Sequence, residues 1–355
     1  MSRVDEILAL LREVRFPGLD QNIVELGYVK AVEPEGERVR IRLEVTTSQA
    51  AAAAAIVAEV RAKLDRAGLP YELDAGSGPD KATPESQQPV MEDLAPGIAY
   101  KIAVASGKGG VGKSTVAVNL ALALSALGKR VGLLDADIHG PSVPTMLGAA
   151  DRRPETANGK LLPIQAHGIR AISLGFLAGG LDPIIWRGPL ASRAIEQLLA
   201  DVDWSGVDHL VLDLPPGTGD IQISIAQKAN PSGVLIVTTP QDVALIDAIR
   251  GVRMFRKVGI PVIGVVENMS HYLCPHCGQA SAIFPSGALR LELERMGVEV
   301  LGRIPIDAGI AAGSDEGLPI VVRSPEAPAA RIYRELAAAV LDRLSTPAAR
   351  TGPRQ

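Results

Sequence analysis

The chain has 355 residues, a net charge of −4 and only two cysteines, with 47% hydrophobic but only 3% aromatic residues. This charge offers no basic field for nucleic acid, no apolar run reaches the ~18 residues of a membrane span, and two cysteines make no disulfide scaffold. The N-terminal residues also lack the basic, then apolar, layout of a signal peptide. We therefore expect a cytoplasmic protein with an aliphatic core, acting without nucleic acid or membrane.

Residues 1–73 are predicted to form a small α+β domain. Apolar residues recur at helical spacing near the N-terminus, alternate with charged ones from Val39 to Val45, and return to helical spacing after residue 49. Residues 74–97 are rich in Gly, Ser, Pro, Gln and charge, which indicates a flexible linker. The last ten residues, 346–355, are predicted to be disordered.

Residues 98–345 have a different texture, in which apolar strand candidates alternate with helical stretches. This alternation predicts an α/β domain with a doubly wound, mostly parallel sheet and helices on both faces. The candidate strands are 102–105, 131–134, 210–212, 234–238 and 262–266.

A glycine-rich loop follows the first of these strands and completes the pattern G-x-x-x-x-G-K-[ST] of a phosphate-binding loop. Its glycines allow backbone N–H groups to face phosphates, Lys113 can reach the β- and γ-phosphates, and Ser114 can hold Mg²⁺. The glycines also fit a dinucleotide site with Asp135 as its ribose acid, but Lys113-Ser114 favours ATP. The candidate nucleotide-binding residues are Gly107, Lys108, Gly109, Gly110, Val111, Gly112, Lys113, Ser114 and Thr115.

Acidic residues end two of the predicted strands. Asp213 follows an apolar strand, as a Walker B aspartate near Mg²⁺ does, and leads into the 213–220 loop, which is suited to sensing the γ-phosphate. Asp135 and Asp137 end the strand after the loop's helix, and a strand-end acid of this kind can also simply cap the next element.

Lys108 is unusual, because a phosphate loop has no need of a lysine after its first glycine. It is either a solvated charge or a group that reaches across a two-fold axis to a partner's phosphates, like an arginine finger in trans. The loop resembles the deviant Walker A class of partition, septum-positioning and nitrogenase iron-protein ATPases. That resemblance implies an ATP-sandwich homodimer, with Asp135 at the magnesium's water shell and Asp137 at the attacking water.

The same resemblance places Asn268, at the end of the 262–266 strand, where this class uses an amide to read adenine. An asparagine at a strand end can also simply make a turn. Pro305 and Asp307 are further candidates for the base side of the nucleotide.

Cys274 and Cys277 form a Cys-x-x-Cys pair, for which four interpretations compete. They could join His271 or His276 in a four-ligand zinc site, act as a redox pair, or be inert and buried. A [4Fe–4S] cluster needs four thiolates, and the two turns of a two-fold dimer supply them. The sequence favours this shared cluster, which would be exposed and therefore transferable.

Longer motifs resemble the Mrp/ApbC-type iron–sulfur cluster carrier ATPases in order and spacing. The family resemblance implies a homodimer that binds a [4Fe–4S] cluster through its cysteines, slowly hydrolyses ATP to ADP and phosphate, and passes the cluster to apoproteins. Assembly scaffold proteins are further expected partners, and nucleotide state is expected to move the 213–220 loop and the cysteine turns. The motifs are 108–115, 134–142, 186–189, 213–220, 238–241, 267–270 and 274–277.

The N-terminal unit resembles the small MIP18-like domain of iron–sulfur assembly factors, through residues 23–29 and Thr46-Thr47. The cysteine usual after the paired threonines is absent, so we expect a docking role there rather than thiol chemistry. The alternative for the whole chain is an ATP-driven dimerisation switch of the partition or septum-positioning type, with a structural zinc at the Cys-x-x-Cys.

Overall fold

The structure, a computed structural model, forms two compact units, Met1–Gln88 and Pro89–Gln355. Predictions made for Thr46-Thr47, Trp186 and residues 346–355 lie outside the described residues. The residues that it describes are 3–15, 22–25, 27–35, 38–44, 50–68, 70–76, 93–137, 140, 142–177, 188–274, 276–284 and 289–345.

The N-terminal unit packs two helices against a three-stranded sheet of order β1-β2-β3, in which β1 and β2 are antiparallel and β2 and β3 parallel. Alternate residues of β2, namely Val39, Ile41 and Leu43, are buried against apolar residues of both helices. The alternation of apolar and charged residues in this strand therefore corresponds to one buried face and one exposed face. The elements are α1 (Arg3–Leu11), β1 (Val29–Glu35), β2 (Arg38–Glu44), α2 (Ala50–Arg66) and β3 (Tyr71–Gly76).

The second unit is built on an eight-stranded sheet of order β15-β12-β11-β4-β10-β5-β9-β8. All neighbouring strands are parallel except β8 and β9 at one edge. Its strands are β4 (Tyr100–Ala105), β5 (Val131–Asp135), β8 (Ile164–Ala166), β9 (Ile169–Ser173), β10 (His209–Asp213), β11 (Gly233–Thr238), β12 (Val262–Glu267) and β15 (Val300–Arg303), with short hairpins β6 (Thr156–Ala157) with β7 (Lys160–Leu161) and β13 (Tyr272–Leu273) with β14 (Ala280–Ser281).

Helices cover both faces of this sheet. Ile102 and Val104 of β4 face one core layer, and Ala103 and Ala105 face the other, so the central strands are buried on both sides. The doubly wound α/β fold predicted from the sequence is confirmed. The helices are α3 (Lys113–Ala126), α4 (Val143–Met146), α5 (Leu174–Leu177), α6 (Gly188–Ala200), α7 (Asp220–Ala229), α8 (Asp242–Lys257), α9 (Leu289–Arg295), α10 (Ala308–Asp315), α11 (Ile320–Arg323) and α12 (Pro328–Ser345).

The predicted linker, residues 74–97, includes structured residues at both of its ends. β3 continues to Gly76, because it pairs with β2 along its whole length. At the other end Ala95 is buried, and the buried Lys101 ammonium bonds Asp93 and the Ala95 carbonyl. Paired or buried residues therefore extend a short way into both ends of the predicted 74–97 linker. Among the described residues, none of the helices is both long and apolar enough to cross a membrane.

Candidate functional site

The carboxyl ends of three adjacent strands form the floor of the candidate site. Asp213, the last residue of β10, lies opposite Asp135 of β5 and Val104 of β4. β4 then leads directly into the glycine-rich loop. A parallel sheet therefore brings the two predicted acids and the phosphate loop to one edge.

The phosphate loop ends where α3 begins, at Lys113. Gly110 and Gly112 have φ values of +78° and +81°, left-handed conformations that glycine adopts without a side-chain penalty. The loop borders a cavity of about 210 Å³ at the N-terminus of α3, where helix N–H groups favour an anion. The cavity is lined by Ser106, Lys108, Gly109, Gly110, Gly112, Lys113, Ser114, Thr115, Asp137, Ser142, Met146 and Pro216.

Lys113 is the central cation of this site, with a side chain only 5% exposed. Its Nζ lies 2.6 Å from Asp213 Oδ1 and 3.4 Å from Asp137 Oδ2, and it donates a hydrogen bond of 3.2 Å to Ser114 Oγ. Burial acts to lower the pKa of Lys113, but the nearby charges, Asp213 first, outweigh it and raise the pKa. Lys113 therefore stays charged and links the loop to both acidic strand ends.

Asp213 is fully buried, and burial raises the pKa of its carboxyl, an effect that Lys113 opposes. Its second oxygen, Oδ2, has no hydrogen-bond partner among the described residues. A buried carboxylate oxygen without a donor is costly unless a cation completes its coordination. The oxygen donors Asp213 and Ser114 thus fit a Mg²⁺ ion, which prefers carboxylate and hydroxyl oxygens.

Asp135 and Asp137 occupy different environments. Asp135 is buried, and its two oxygens accept bonds from the Asp137 N–H (3.0 Å) and from Ser173 Oγ (2.9 Å). Burial, together with the charge of Asp213, raises the pKa of Asp135 to about 7. Asp137, by contrast, lines the cavity with a side chain 14% exposed. Of these two acids, Asp137 is therefore the one that borders the cavity.

Lys108 is half-buried and lines the cavity at the start of the loop. Ser106 makes two hydrogen bonds at the start of the loop. Its hydroxyl donates to the Lys108 carbonyl (2.9 Å), and its carbonyl accepts a bond from the Gly217 N–H (2.9 Å). The Lys108 backbone is thereby tied to the 213–220 loop. The role of Lys108 across a two-fold axis stays a prediction.

Of the three base-side candidates, Asn268 contacts the phosphate loop. Asn268 is buried, and its Nδ2 donates a bond of 2.9 Å to the Val111 carbonyl. Asp307 caps α10 by accepting the Gly309 N–H at 2.6 Å, and Pro305 is buried. Within the part of the chain that the structure describes, none of these three lines the cavity, and their adenine-side roles stay predictions.

Cys274 and Cys277 lie at the tip of the β13–β14 hairpin, residues 272–281, which we call the cysteine hairpin. The Gly278 N–H bonds the Cys274 carbonyl (2.8 Å) and the Cys274 N–H bonds the Gln279 carbonyl (3.0 Å). Backbone bonds from Cys277 and His276, and a bond from the Cys277 thiol, lower the pKa of Cys274. The turn therefore favours a thiolate, the form that binds metals.

The geometry narrows the four interpretations of these cysteines. Cys277 is exposed, so the prediction of two inert buried cysteines is wrong. A hairpin tip is also not the helix N-terminus that a thioredoxin-like pair requires. Among the described residues, no three His, Cys, Asp or Glu side chains are grouped to hold a metal ion, so a four-ligand zinc site with His271 or His276 is not formed there.

Comparison with known proteins decides the family. A profile described as the NUBPL iron-transfer P-loop NTPase matches residues 97–341, and one described as an iron–sulfur cluster assembly protein matches residues 4–70. A Haemophilus influenzae protein named iron–sulfur cluster carrier protein is 41% identical over 342 residues, covering 94% of this chain and 90% of that protein. The chain belongs to the iron–sulfur cluster carrier family of P-loop NTPases.

A second carrier protein matches this chain over nearly its full length. The Deinococcus radiodurans iron–sulfur cluster carrier protein is 42% identical over 345 residues, covering 96% of this chain and 95% of its own. Among solved structures, a nucleotide-binding protein from Archaeoglobus fulgidus in complex with ADP is 36% identical, with a TM-score of 0.57, covering 65% of this chain and 90% of that one. The family resemblance found in the sequence motifs is confirmed.

Sequence reasoning missed several hydrogen bonds that hold this carrier-family site together. Ser173 binds Asp135, Ser106 joins the phosphate loop to Gly217, and the buried Gln222 donates to the Pro215 carbonyl at 3.1 Å. Each contact joins segments whose closeness depends on strand order or loop path. No spacing rule in the sequence would have found them.

Proposed function

We propose that this chain binds and slowly hydrolyses ATP, holds a [4Fe–4S] cluster at a homodimer interface, and transfers that cluster to apoproteins. One observation carries the proposal: an exposed hairpin presents two thiols, and no third metal-binding side chain joins them among the described residues. A four-thiolate cluster is then completed by a second copy of the same hairpin.

The nucleotide side of the proposal rests on the buried charges of the phosphate loop. Lys113 and Lys108 would neutralise phosphate charge, and loop N–H groups with the α3 dipole would hold the β-phosphate. Ser114 and Asp213 would hold Mg²⁺, with Asp135 behind them at its water shell; the ion, when bound, supplies further positive charge at the phosphates.

Hydrolysis requires a water molecule in line with the bond between the γ-phosphorus and the leaving oxygen of ADP. Asp137 is the carboxylate of this site that lines the cavity, and it would orient that water by accepting its proton in a hydrogen bond. A new bond from the water oxygen to phosphorus forms as the bond to ADP breaks, and the products are ADP and phosphate. The closeness of Asp137 to Lys113 supports this assignment.

The cluster is cargo rather than a resident group, and the hairpin's exposure supports that distinction. Cys277 is exposed and Cys274 half-buried, so a cluster held there remains within reach of a recipient. The lowered pKa of Cys274 favours the thiolate form needed for loading. Apoproteins and assembly scaffold proteins are the proposed partners, with the N-terminal unit as a docking domain.

Anaerobic reconstitution with iron and sulfide tests the proposal. We expect a coloured protein whose thiolate-to-iron absorbance is lost in Cys274→Ala and retained in the matched hairpin control Ser281→Ala, since Ser281 is exposed on β14. The loaded protein should then activate an iron–sulfur apoenzyme, and phosphate release should be lost in Lys113→Met.

Two results would contradict the proposal. A colourless protein that keeps one zinc per two chains after reconstitution would favour the dimerisation switch. A cluster that forms equally well without Cys274 would place the ligands elsewhere in the chain.

A further inference from the structure

The phosphate loop and the cysteine hairpin are joined by one short segment, residues 268–272. It begins at Asn268, directly after β12, and ends at Tyr272, two residues before Cys274. Five residues lie between Asn268 and Cys274, so the two are at most about 20 Å apart along extended chain. Any change at Asn268 therefore has a short covalent route to the thiols.

Asn268 is clamped between the sheet and the loop. Its backbone N–H donates to the Thr238 carbonyl of β11 (2.8 Å), while its side-chain Nδ2 donates to the Val111 carbonyl (2.9 Å). The contact with the loop is so close that a Cβ added to Gly112 would lie 2.2 Å from Nδ2. The Asn268 hydrogen bond therefore depends on the orientation of the Val111–Gly112 peptide, which is part of the phosphate-binding loop.

The joint after Asn268 is stiff. Met269 has φ +54°, a left-handed conformation that a non-glycine residue adopts only when its surroundings hold it there. The Ser270 N–H and hydroxyl both bond the Ile304 carbonyl (2.9 and 3.0 Å), and the Ile306 N–H bonds the His271 carbonyl (2.7 Å). These contacts hold residues 269–271 in one backbone conformation between Asn268 and the cysteine hairpin.

We propose that Asn268 is a positioning residue, through which the conformation of the phosphate loop sets the placement and exposure of the cysteine hairpin. Phosphate binding draws the loop N–H groups towards the anion and turns the Val111–Gly112 peptide. The Asn268 bond then shifts with that peptide, and residues 269–272 carry the shift to Cys274. The inference extends the proposed function, because it supplies a route from nucleotide state to cargo release.

The test is the rate at which iodoacetamide alkylates Cys274 and Cys277 in the cluster-free full-length chain. The rate is compared without nucleotide, with Mg·ADP and with the non-hydrolysable analogue Mg·AMPPNP, at concentrations that calorimetry shows to be saturating. We expect nucleotide to change the rate in the unaltered chain by about 5-fold, the size of effect that one hydrogen bond produces.

Two variants interrupt the route at different points. Asn268→Ala removes the bond to the loop, and Met269→Gly keeps the backbone shape, since glycine adopts φ +54° freely, while softening the joint. In both variants the nucleotide-dependent change in alkylation rate should fall below about 2-fold, because the contribution of one hydrogen bond is lost. Ser281→Ala removes an exposed hydroxyl from β14 and leaves residues 268–272 unchanged, so it should keep the full effect.

Hydrogen exchange of residues 270–281 gives a second readout that a merely structural role would not move. The inference is overturned if nucleotide does not change the alkylation rate in the unaltered chain. It is also overturned if the full change persists in Met269→Gly, or in Asn268→Ala with nucleotide bound. If Asn268→Ala does not fold or bind nucleotide, Met269→Gly decides the matter. If no cluster assembles but nucleotide still changes the alkylation rate, the proposed function is rejected and the link through Asn268 is retained.

Discussion

The phosphate-loop site and the cysteine hairpin belong to the same unit but are built in opposite ways. Lys113 is 5% exposed and Asp213 is fully buried, and both are joined to other groups across the ends of parallel strands. The hairpin has strands of two residues each, an exposed Cys277 and only two thiols. The first site is preformed and buried; the second, in the proposed function, is a half-site that a second copy of the chain completes.

This difference has a physical basis. A site that stabilises developing charge works best when its groups are fixed and dry, so burial and pairing serve it. A site that must release its cargo works best when its ligands are few and within reach of a recipient. Substitutions should therefore cost stability at the phosphate loop and leave stability unchanged at the hairpin.

The largest effect is expected at Lys113. Lys113→Met leaves the buried Asp213 and the adjacent Asp137 without their cation, which should lower the free energy of unfolding by about 3 kcal/mol. Phosphate release should fall about 100-fold or more, as when a charge-stabilising donor is removed. Urea unfolding and a phosphate assay measure the two effects, with the exposed Lys160→Met as control. Equal stability of both variants would contradict the pairing described here.

Asp135 should make stability depend on pH. Its pKa is raised from 3.8 to about 7, so the folded state holds this proton more tightly than the unfolded state does. The stability from this group is therefore full below about pH 4 and is lost as the pH rises towards 7. Relative to Asp135→Asn, the unaltered chain should lose roughly 2 kcal/mol between pH 5 and 7 in urea unfolding without Mg²⁺.

The control for this pH series is Asp203→Asn. Hydrogen bonds from Ser205 lower the pKa of the Asp203 carboxyl, so its contribution is lost only as the pH falls. Its stability difference from the unaltered chain should stay flat over the same range. A flat Asp135→Asn difference would show that Asp135 is not the buried, raised-pKa acid of this site.

Gly112 tests the close approach of the loop to Asn268. Gly112→Ala adds a methyl group at φ +81° and drives it into the Asn268 amide, which should cost roughly 1–2 kcal/mol of unfolding free energy. Gly109→Ala meets no atom within 4 Å and should cost less than about 1 kcal/mol. Thermal and urea unfolding rank the two, and equal losses would argue against the contact.

The smallest effect on stability is expected at the cysteine hairpin. Cys277 is exposed, so Cys277→Ser should change the free energy of unfolding by less than about 0.5 kcal/mol. The same variant should no longer assemble a cluster, because one of the two thiolates is gone. A large loss of stability would mean that the hairpin is part of the folded core and not a separate cargo site.

The same contrast explains what the sequence could predict. The phosphate loop, the acids at the ends of β5 and β10 and the doubly wound sheet follow local patterns, since a motif of fixed spacing and strand-end positions needs no knowledge of distant contacts. The contact of Asn268 with Val111 joins residues 157 apart, and that of Ser173 with Asp135 joins residues 38 apart. Such contacts depend on strand order, which the sequence pattern leaves open.

The boundaries of the linker were misplaced for a related reason. Gly76 and Ala95 lie in stretches of polar, Gly- and Pro-rich composition, yet strand pairing holds the first and the bonds of Lys101 hold the segment of the second. The composition of a segment describes its average polarity and does not indicate the hydrogen-bond partner of an individual residue. Strands β8, β9 and β15 are not among the five predicted strands; β8 and β15, with three and four residues, carry too little alternation to be recognised.

In the proposed function, each chain brings half of the ligands for one cluster. Native mass spectrometry of the loaded protein, with iron and sulfide counted, tests it most directly. We expect about four irons and about four sulfides per two chains, and no cluster on a monomeric chain. A full cluster on a single chain, or a protein that stays a monomer with ATP, iron and sulfide present, would contradict it.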